Sequence, residues 1–114
     1  MALHYNLAKV YAISENDDEF AKQIATLFVT EVPQEMELVK TGIETKKYDQ
    51  AHAAAHKIKP TLDLLGMDNA YEEVKLIEAW AKRKGKRREI KDTFKDLSVR
   101  VDKAVREIMK DFSL

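Results

Sequence analysis

Residues 48–66 read YDQAHAAAHKIKPTLDLLG, and the spacing of their apolar side chains decides the fold. These apolar residues follow one another at alternating steps of three and four: Tyr48, Ala51, Ala55, Ile58, Leu62 and Leu65. Because an α-helix turns once in about 3.6 residues, the spacing predicts a helix that buries one face. Gly66 is the residue at which this helix should end.

The same helical period continues on both sides of this segment. Before it, the period predicts a short first helix, capped by Asn6 and running to about Ala12, and a long second helix, capped at Ser14, Asn16 or Asp17 and bent at Pro33. After it, the period predicts a fourth helix from Asp68 or Asn69 to just before Gly85 and a last helix over 87–112. Tyr71 and Trp80 are expected at the bundle edge. The fold class predicted is all-α: an up-down antiparallel four-helix bundle with a short extra N-terminal helix, in a single domain over 1–114.

The composition excludes several classes of protein. The chain has 114 residues, twenty basic and twenty acidic side chains, and no cysteine. A balanced charge gives no reason to expect a nucleic-acid or membrane partner, and without cysteine there is no disulfide framework or thiolate nucleophile. The N-terminus lacks the features of a signal peptide, and no apolar run approaches the roughly 18 residues of a membrane span. We therefore expect a cytoplasmic protein.

His56, on the third helix, is the candidate functional residue. It lies about 120° around the helix from the buried stripe, so it should face water. Ala53, Pro60 and Leu64 share this outer face, and such a small, apolar surround suits close approach by another protein. Neutral imidazole, with a pKa of about 6.5, is a nucleophile near neutral pH. Lys59, one turn on, can hold phosphoryl oxygens, although the same spacing also occurs on ordinary solvated helices.

The stretch from Ala55 to Thr61, AHKIKPT, followed by Gly66, resembles the signature of histidine phosphotransfer (HPt) domains. That signature reads Ala-His-x-Leu-Lys-Gly-Ser, with a further Gly ten residues after the histidine. Phe28 and Pro33 are similar to the family's Phe-and-Pro pair, and Leu76-Ile77-Glu78 resembles its Leu-Glu element. Pro60 departs from the pattern, because the family usually has Gly there.

The resemblance implies a role for each matching residue. His56 would be the phosphorylated residue, and Lys59 would neutralise the phosphoryl group. Glu78 stands where many relatives have Gln and would orient the imidazole, while Lys82 matches a position that is often basic. The residues expected to dock the partner are Ala53, Lys57, Pro60, Asp63 and Leu64.

The resemblance also implies the partners. These would be receiver domains of response regulators or hybrid histidine kinases, and the receiver would supply Mg²⁺, so no cofactor is expected on this chain. The sequence shows no glycine-rich nucleotide-binding loop, so we expect a phosphocarrier without autokinase activity and not an enzyme in its own right.

Other interpretations of the same residues stay open. His52 and His56 have the i, i+4 spacing of a helical metal site, but no third ligand is evident and His52 reads as a boundary residue. A di-metal bundle enzyme would need Glu-x-x-His pairs, which the chain lacks. The basic run over 82–88 fits a helix end and loop better than a nucleic-acid patch, and it could steer an acidic receiver. A non-enzymatic adaptor that binds a partner through the His56 face is the alternative function.

Overall fold

Five α-helices make up most of residues 2–114, the part of the chain that the computed structural model describes. They are α1 (Ala8–Ser14), α2 (Asp18–Glu44), α3 (Tyr48–Leu64), α4 (Asp68–Lys82) and α5 (Arg87–Asp111). No strand occurs in this range, so the predicted all-α class is confirmed.

The start of α2 follows from local capping. The side chain of Asp17 accepts a hydrogen bond from the amide of Phe20 at 3.2 Å, and the acidic first turn of α2 suits the positive end of the helix dipole. Asn6 accepts from the amide of Ala8 at 2.7 Å, but the N-cap of α1 is Leu7 and not the predicted Asn6. Helix α1 extends two residues past its predicted end, to Ser14. Helix α2 remains α-helical through Pro33.

Helix α3 ends where the sequence predicted. Gly66 has φ +62°, a left-handed conformation that glycine adopts without the steric cost of a Cβ atom. A Cβ atom here would lie 2.9 Å from the Cβ of Asn6, since the amide of Asn6 donates to the carbonyl of Leu65 at 2.7 Å. This contact fastens the N-terminal segment to the end of α3.

The four longer helices pack in a ring around one apolar core. Helix α3 packs against α2 and α4, α5 packs against α4 and α2, and α1 lies against α2. Fully buried side chains come from all five helices, and the largest of them are Trp80, Phe28, Leu62, Leu65, Ile77, Leu97 and Ile108. The predicted stripe of α3 is buried from Ala51 to Leu65, and Tyr48 at its start is half-buried.

Trp80 does not lie at the bundle edge, so that prediction is wrong. Its side chain is fully buried, and its indole N–H donates to the carbonyl of Lys86 at 2.8 Å. Tyr48 lies beside it with ring centroids 5.2 Å apart and donates its hydroxyl hydrogen to the carbonyl of Gly85 at 2.9 Å. The loop between α4 and α5 thus folds over the indole, and the helical period of α4 alone cannot show this.

No helix within residues 2–114 combines the length and the apolar character needed to cross a bilayer.

Candidate functional site

His56 lies in the middle of α3 and presents its ring to solvent. Its side chain is 67% exposed, as the helical period predicted. The ring is nevertheless held, because its Nδ1 atom lies 2.9 Å from Oε2 of Glu78 on the neighbouring helix α4. An ionised carboxylate can only accept a hydrogen bond, so Nδ1 is the donor.

Glu78 is the residue that connects the two helices at this site. Its side chain is only 12% exposed, and both of its oxygens have partners on α3. While Oε2 accepts from His56, Oε1 accepts from Nζ of Lys59 at 2.8 Å.

His56, Lys59 and Glu78 form one hydrogen-bonded cluster, and within it Lys59 and Glu78 stabilise each other's charged form. Burial of Glu78 would raise the pKa of its carboxyl, but hydrogen bonds from Lys59 and His56 together outweigh burial and hold that pKa below its usual value. The same bond to Glu78 raises the pKa of the Lys59 ammonium, against the opposing effect of burial. Glu78 is therefore anionic and Lys59 cationic at neutral pH.

The bond to Glu78 selects one tautomer of neutral His56. With the proton on Nδ1, the lone pair is on Nε2, the nitrogen on the other side of the ring. An exposed ring with a fixed orientation and an available lone pair at Nε2 can act as a nucleophile toward an electrophile brought by another molecule.

His52 lies one turn before His56, and the two rings are parallel. Their centroids are 6.2 Å apart and their planes differ by 8°. His52 is half-buried, as expected of a boundary residue. Within residues 2–114, no group of three or more His, Cys, Asp or Glu side chains is arranged to hold a metal ion.

The residues expected to dock a partner form a rim around His56. Ala53 and Pro60 are exposed, and Leu64 is half-buried against the core. The two charged members are tied to neighbouring helices: Lys57 pairs with Glu35 of α2 at 2.9 Å, and Asp63 pairs with Lys9 of α1 at 2.8 Å.

Lys82 is not part of the cluster. It is exposed in the last turn of α4, one turn after Glu78. The alternative of a surface ion pair between Glu78 and Lys82 is not found among the described residues, because Glu78 turns toward α3.

Two features of the site were missed in the sequence. One is the bond between Lys59 and Glu78, because the pattern predicted a lysine that is free to meet a phosphoryl group. The other is Glu35, which holds Lys57 from α2. No sequence signal identifies either pair, since each depends on how two packed helices are rotated relative to each other.

Comparisons with protein-family models, with curated proteins and with solved structures find no match to this chain. The relationship to HPt domains thus stays a prediction from the sequence.

Proposed function

We propose that this chain is a histidine phosphotransfer protein of the HPt family, built as an up-down antiparallel four-helix bundle with a short N-terminal helix. It relays a phosphoryl group through His56 between the aspartates of receiver domains in a cytoplasmic two-component phosphorelay. One observation carries the proposal: an exposed imidazole whose Nδ1 is bound by a carboxylate, with a lysine one turn along the same helix.

The chemistry is a transfer between two carriers. The lone pair of Nε2 attacks the phosphorus of the receiver's aspartyl phosphate, the N–P bond forms, and the bond from phosphorus to the aspartate oxygen breaks. The aspartate leaves with the bonding electrons as a carboxylate. Nδ1 keeps its proton and continues to donate a hydrogen bond to Glu78. The phosphorylated ring therefore needs no further proton transfer. Attack by a second receiver's aspartate on the same phosphorus reverses these steps.

Positioning and charge neutralisation supply most of the catalysis in phosphoryl transfer. Glu78 positions the ring. Lys59 lies one turn along α3 from His56 and bonds the same carboxylate. It would exchange part of its bond to Glu78 for the oxygens of the incoming phosphoryl group. The Mg²⁺ that such a transfer needs belongs to the receiver, and the chain itself would neither bind ATP nor phosphorylate itself.

The rim around His56 supports a protein partner. Ala53 and Pro60 offer a flat, uncharged approach to the ring, flanked by the tied charges of Lys57 and Asp63 and by Leu64. The same surface also favours the second candidate function, an adaptor that binds a partner through the His56 face without carrying phosphate.

The test is to mix the protein with a receiver domain phosphorylated on its aspartate and to follow acid-labile phosphate on the chain. His56→Gln should take no label. His52→Gln is the matched control, because the two rings lie on the same helix one turn apart, and it should still be labelled. Circular dichroism confirms that each variant is folded. If wild type takes no label from any receiver but binds one in a His56-independent way, the adaptor function replaces the phosphocarrier.

A further inference from the structure

The charge of the chain is unevenly distributed. Residues 82–88 carry six basic side chains and no acidic one, although the whole chain has net charge zero. Five cations line one shallow depression where the loop before α3 meets the loop before α5: Lys46, Lys84, Lys86, Arg87 and Arg88. We refer to these five residues as the basic end.

The backbone that carries the basic end is held in place. Trp80 and Tyr48 donate hydrogen bonds to two successive carbonyls of the α4–α5 loop, those of Lys86 and Gly85. Gly85 fits because it has no side chain: a Cβ atom there would lie 2.4 Å from Cδ1 of Trp80. The backbone that carries these cations is therefore already ordered, which lowers the conformational entropy lost on binding an anionic partner.

The side chains of the basic end have no carboxylate partner among the described residues. Several other cations of the chain do, including Lys9, Lys57, Lys59 and Arg100. All five side chains are exposed. One carboxylate lies at the basic end, that of Glu89, which accepts a hydrogen bond from the backbone amide of Lys86 at 2.6 Å. Against five cations it leaves a net positive potential in the solvent, which attracts an acidic surface.

The basic end lies near His56. Tyr48, at the rim of the depression, is eight residues before His56 on α3, which is about 12 Å along the helix. On α4, the exposed Lys82 lies between Glu78 and the loop. At this separation, one partner domain can cover His56 and the basic end at the same time.

The chemistry of the depression favours an acidic protein over a nucleic acid. Single-stranded nucleic acids bind by stacking bases on exposed aromatic rings, but here Trp80 is buried and Tyr48 is half-buried. The rest of the chain has six more acidic than basic side chains, which repels a long polyanion. A receiver that holds Mg²⁺ beside its aspartate must have carboxylates around that pocket.

We propose that the basic end is a second contact surface for the receiver, which it attracts and orients through acidic residues flanking the phosphoaspartate pocket. This inference depends on the proposed function for the identity of the partner. Beyond the proposed function, it specifies the orientation of docking, with the acidic flank of the receiver facing the α4–α5 loop. It also predicts that the rate of association depends on salt concentration.

The first experiment compares two charge reversals on the same helix. Arg87→Glu/Arg88→Glu reverses two of the five cations of the basic end, and Lys95→Glu/Lys103→Glu makes the same change in net charge at exposed positions further along α5. The rate of phosphoryl transfer is measured below receiver saturation, in low and in high salt. We expect the first pair to slow transfer about tenfold in low salt, with the loss vanishing in high salt, and the control pair to have a much smaller effect. Equal effects of the two pairs would overturn the proposal.

The second experiment does not depend on phosphoryl transfer. Trp80 is the only tryptophan, and its N–H is bound to the carbonyl of Lys86, so its indole resonance in an ¹⁵N–¹H NMR spectrum reports on the basic end. An oligoglutamate peptide should shift this resonance in wild type and in Lys95→Glu/Lys103→Glu but not in Arg87→Glu/Arg88→Glu. No shift in wild type, or a larger shift with duplex DNA at the same salt concentration, would overturn the proposal. If the peptide result holds but no receiver labels His56, the proposed function fails and the acidic-partner surface stands.

Discussion

Glu78 on α4 accepts the Nδ1–H of His56 on α3 at 2.9 Å, so the orientation of an exposed ring depends on a largely buried carboxylate of another helix. This relationship defines which nitrogen of His56 carries the lone pair. It also places a negative charge next to the residue that we propose to accept a phosphoryl group. The two effects oppose each other, and substitutions at Glu78 can separate them.

Glu78→Gln should keep an oxygen acceptor for the ring and remove the charge. Glu78 and a phosphoryl group on Nε2 lie on opposite sides of the ring, about 7 Å apart, where repulsion between unit charges is about 0.6 kcal/mol even in water, so the equilibrium with a phosphorylated receiver should shift toward phosphohistidine by about threefold. Glu78→Ala should instead slow transfer, since the ring loses its orienting partner. The ratio of labelled chain to labelled receiver at equilibrium measures the first effect.

The control for this substitution is Glu35→Gln. Glu35 has the same exposed fraction, 12%, and also accepts from a lysine of α3. It should leave the equilibrium unchanged. An equal shift in both variants would mean that the result reflects overall charge and not the contact with His56.

Lys59→Ala should slow phosphoryl transfer by about tenfold to a hundredfold at saturating receiver, because a positioned cation stabilises charge that develops in the transition state. Lys75→Ala, which removes an exposed lysine paired with Glu72 on α4, is the matched control and should keep the wild-type rate. Single-turnover kinetics separates this effect from docking. A wild-type rate in Lys59→Ala would contradict the role given to this lysine.

The depressed pKa of Glu78 links the site to folding stability. A carboxyl whose pKa is lower in the folded chain stabilises it above the unfolded pKa, near 4.5, and this contribution is lost as pH falls through the folded value. The stabilisation of wild type relative to Glu78→Gln should therefore be present above about pH 4.5 and shrink as the pH falls toward 3. Urea unfolding at several pH values measures it. A difference that does not change with pH would show that the ion pairs of Glu78 add nothing to stability.

The sequence predicted those features that depend on one helix at a time. The stripe of α3 fixed which of its residues are buried, and Asp17 and Gly66 marked helix ends that the structure confirms. The exposure of His56 follows from the same period. These predictions succeed because a helical period relates residues through local geometry alone.

Features that join two elements could not be predicted in the same way. The bond of Lys59 to Glu78 depends on the rotation of α4 against α3, and nothing in either helix specifies that rotation. Trp80 was misplaced for a related reason: the loop after α4 turns back and covers it, so its burial comes from residues outside its own helix.

Gly85→Ala tests whether the loop between α4 and α5 packs against the indole ring of Trp80. The new Cβ atom would lie 2.4 Å from the indole ring, so the loop or the ring must move, at a cost of about 1–3 kcal/mol in the free energy of unfolding. The fluorescence of Trp80, the only tryptophan, should shift as the loop is displaced. In a double-mutant cycle with Trp80→Phe, the two changes should cost less together than the sum of their separate costs. Additive costs would indicate that Gly85 and the indole do not interact.

The position of the phosphoryl group on the ring of His56 distinguishes the proposed function from its alternatives. The chain is labelled with ¹⁵N in histidine, phosphorylated by a receiver, and examined by NMR for the nitrogen of His56 that is bonded to phosphorus. We expect an N–P bond at Nε2 of His56, with Nδ1 still protonated and hydrogen-bonded to Glu78. Phosphate at Nδ1, on His52, or on no histidine at all would contradict it.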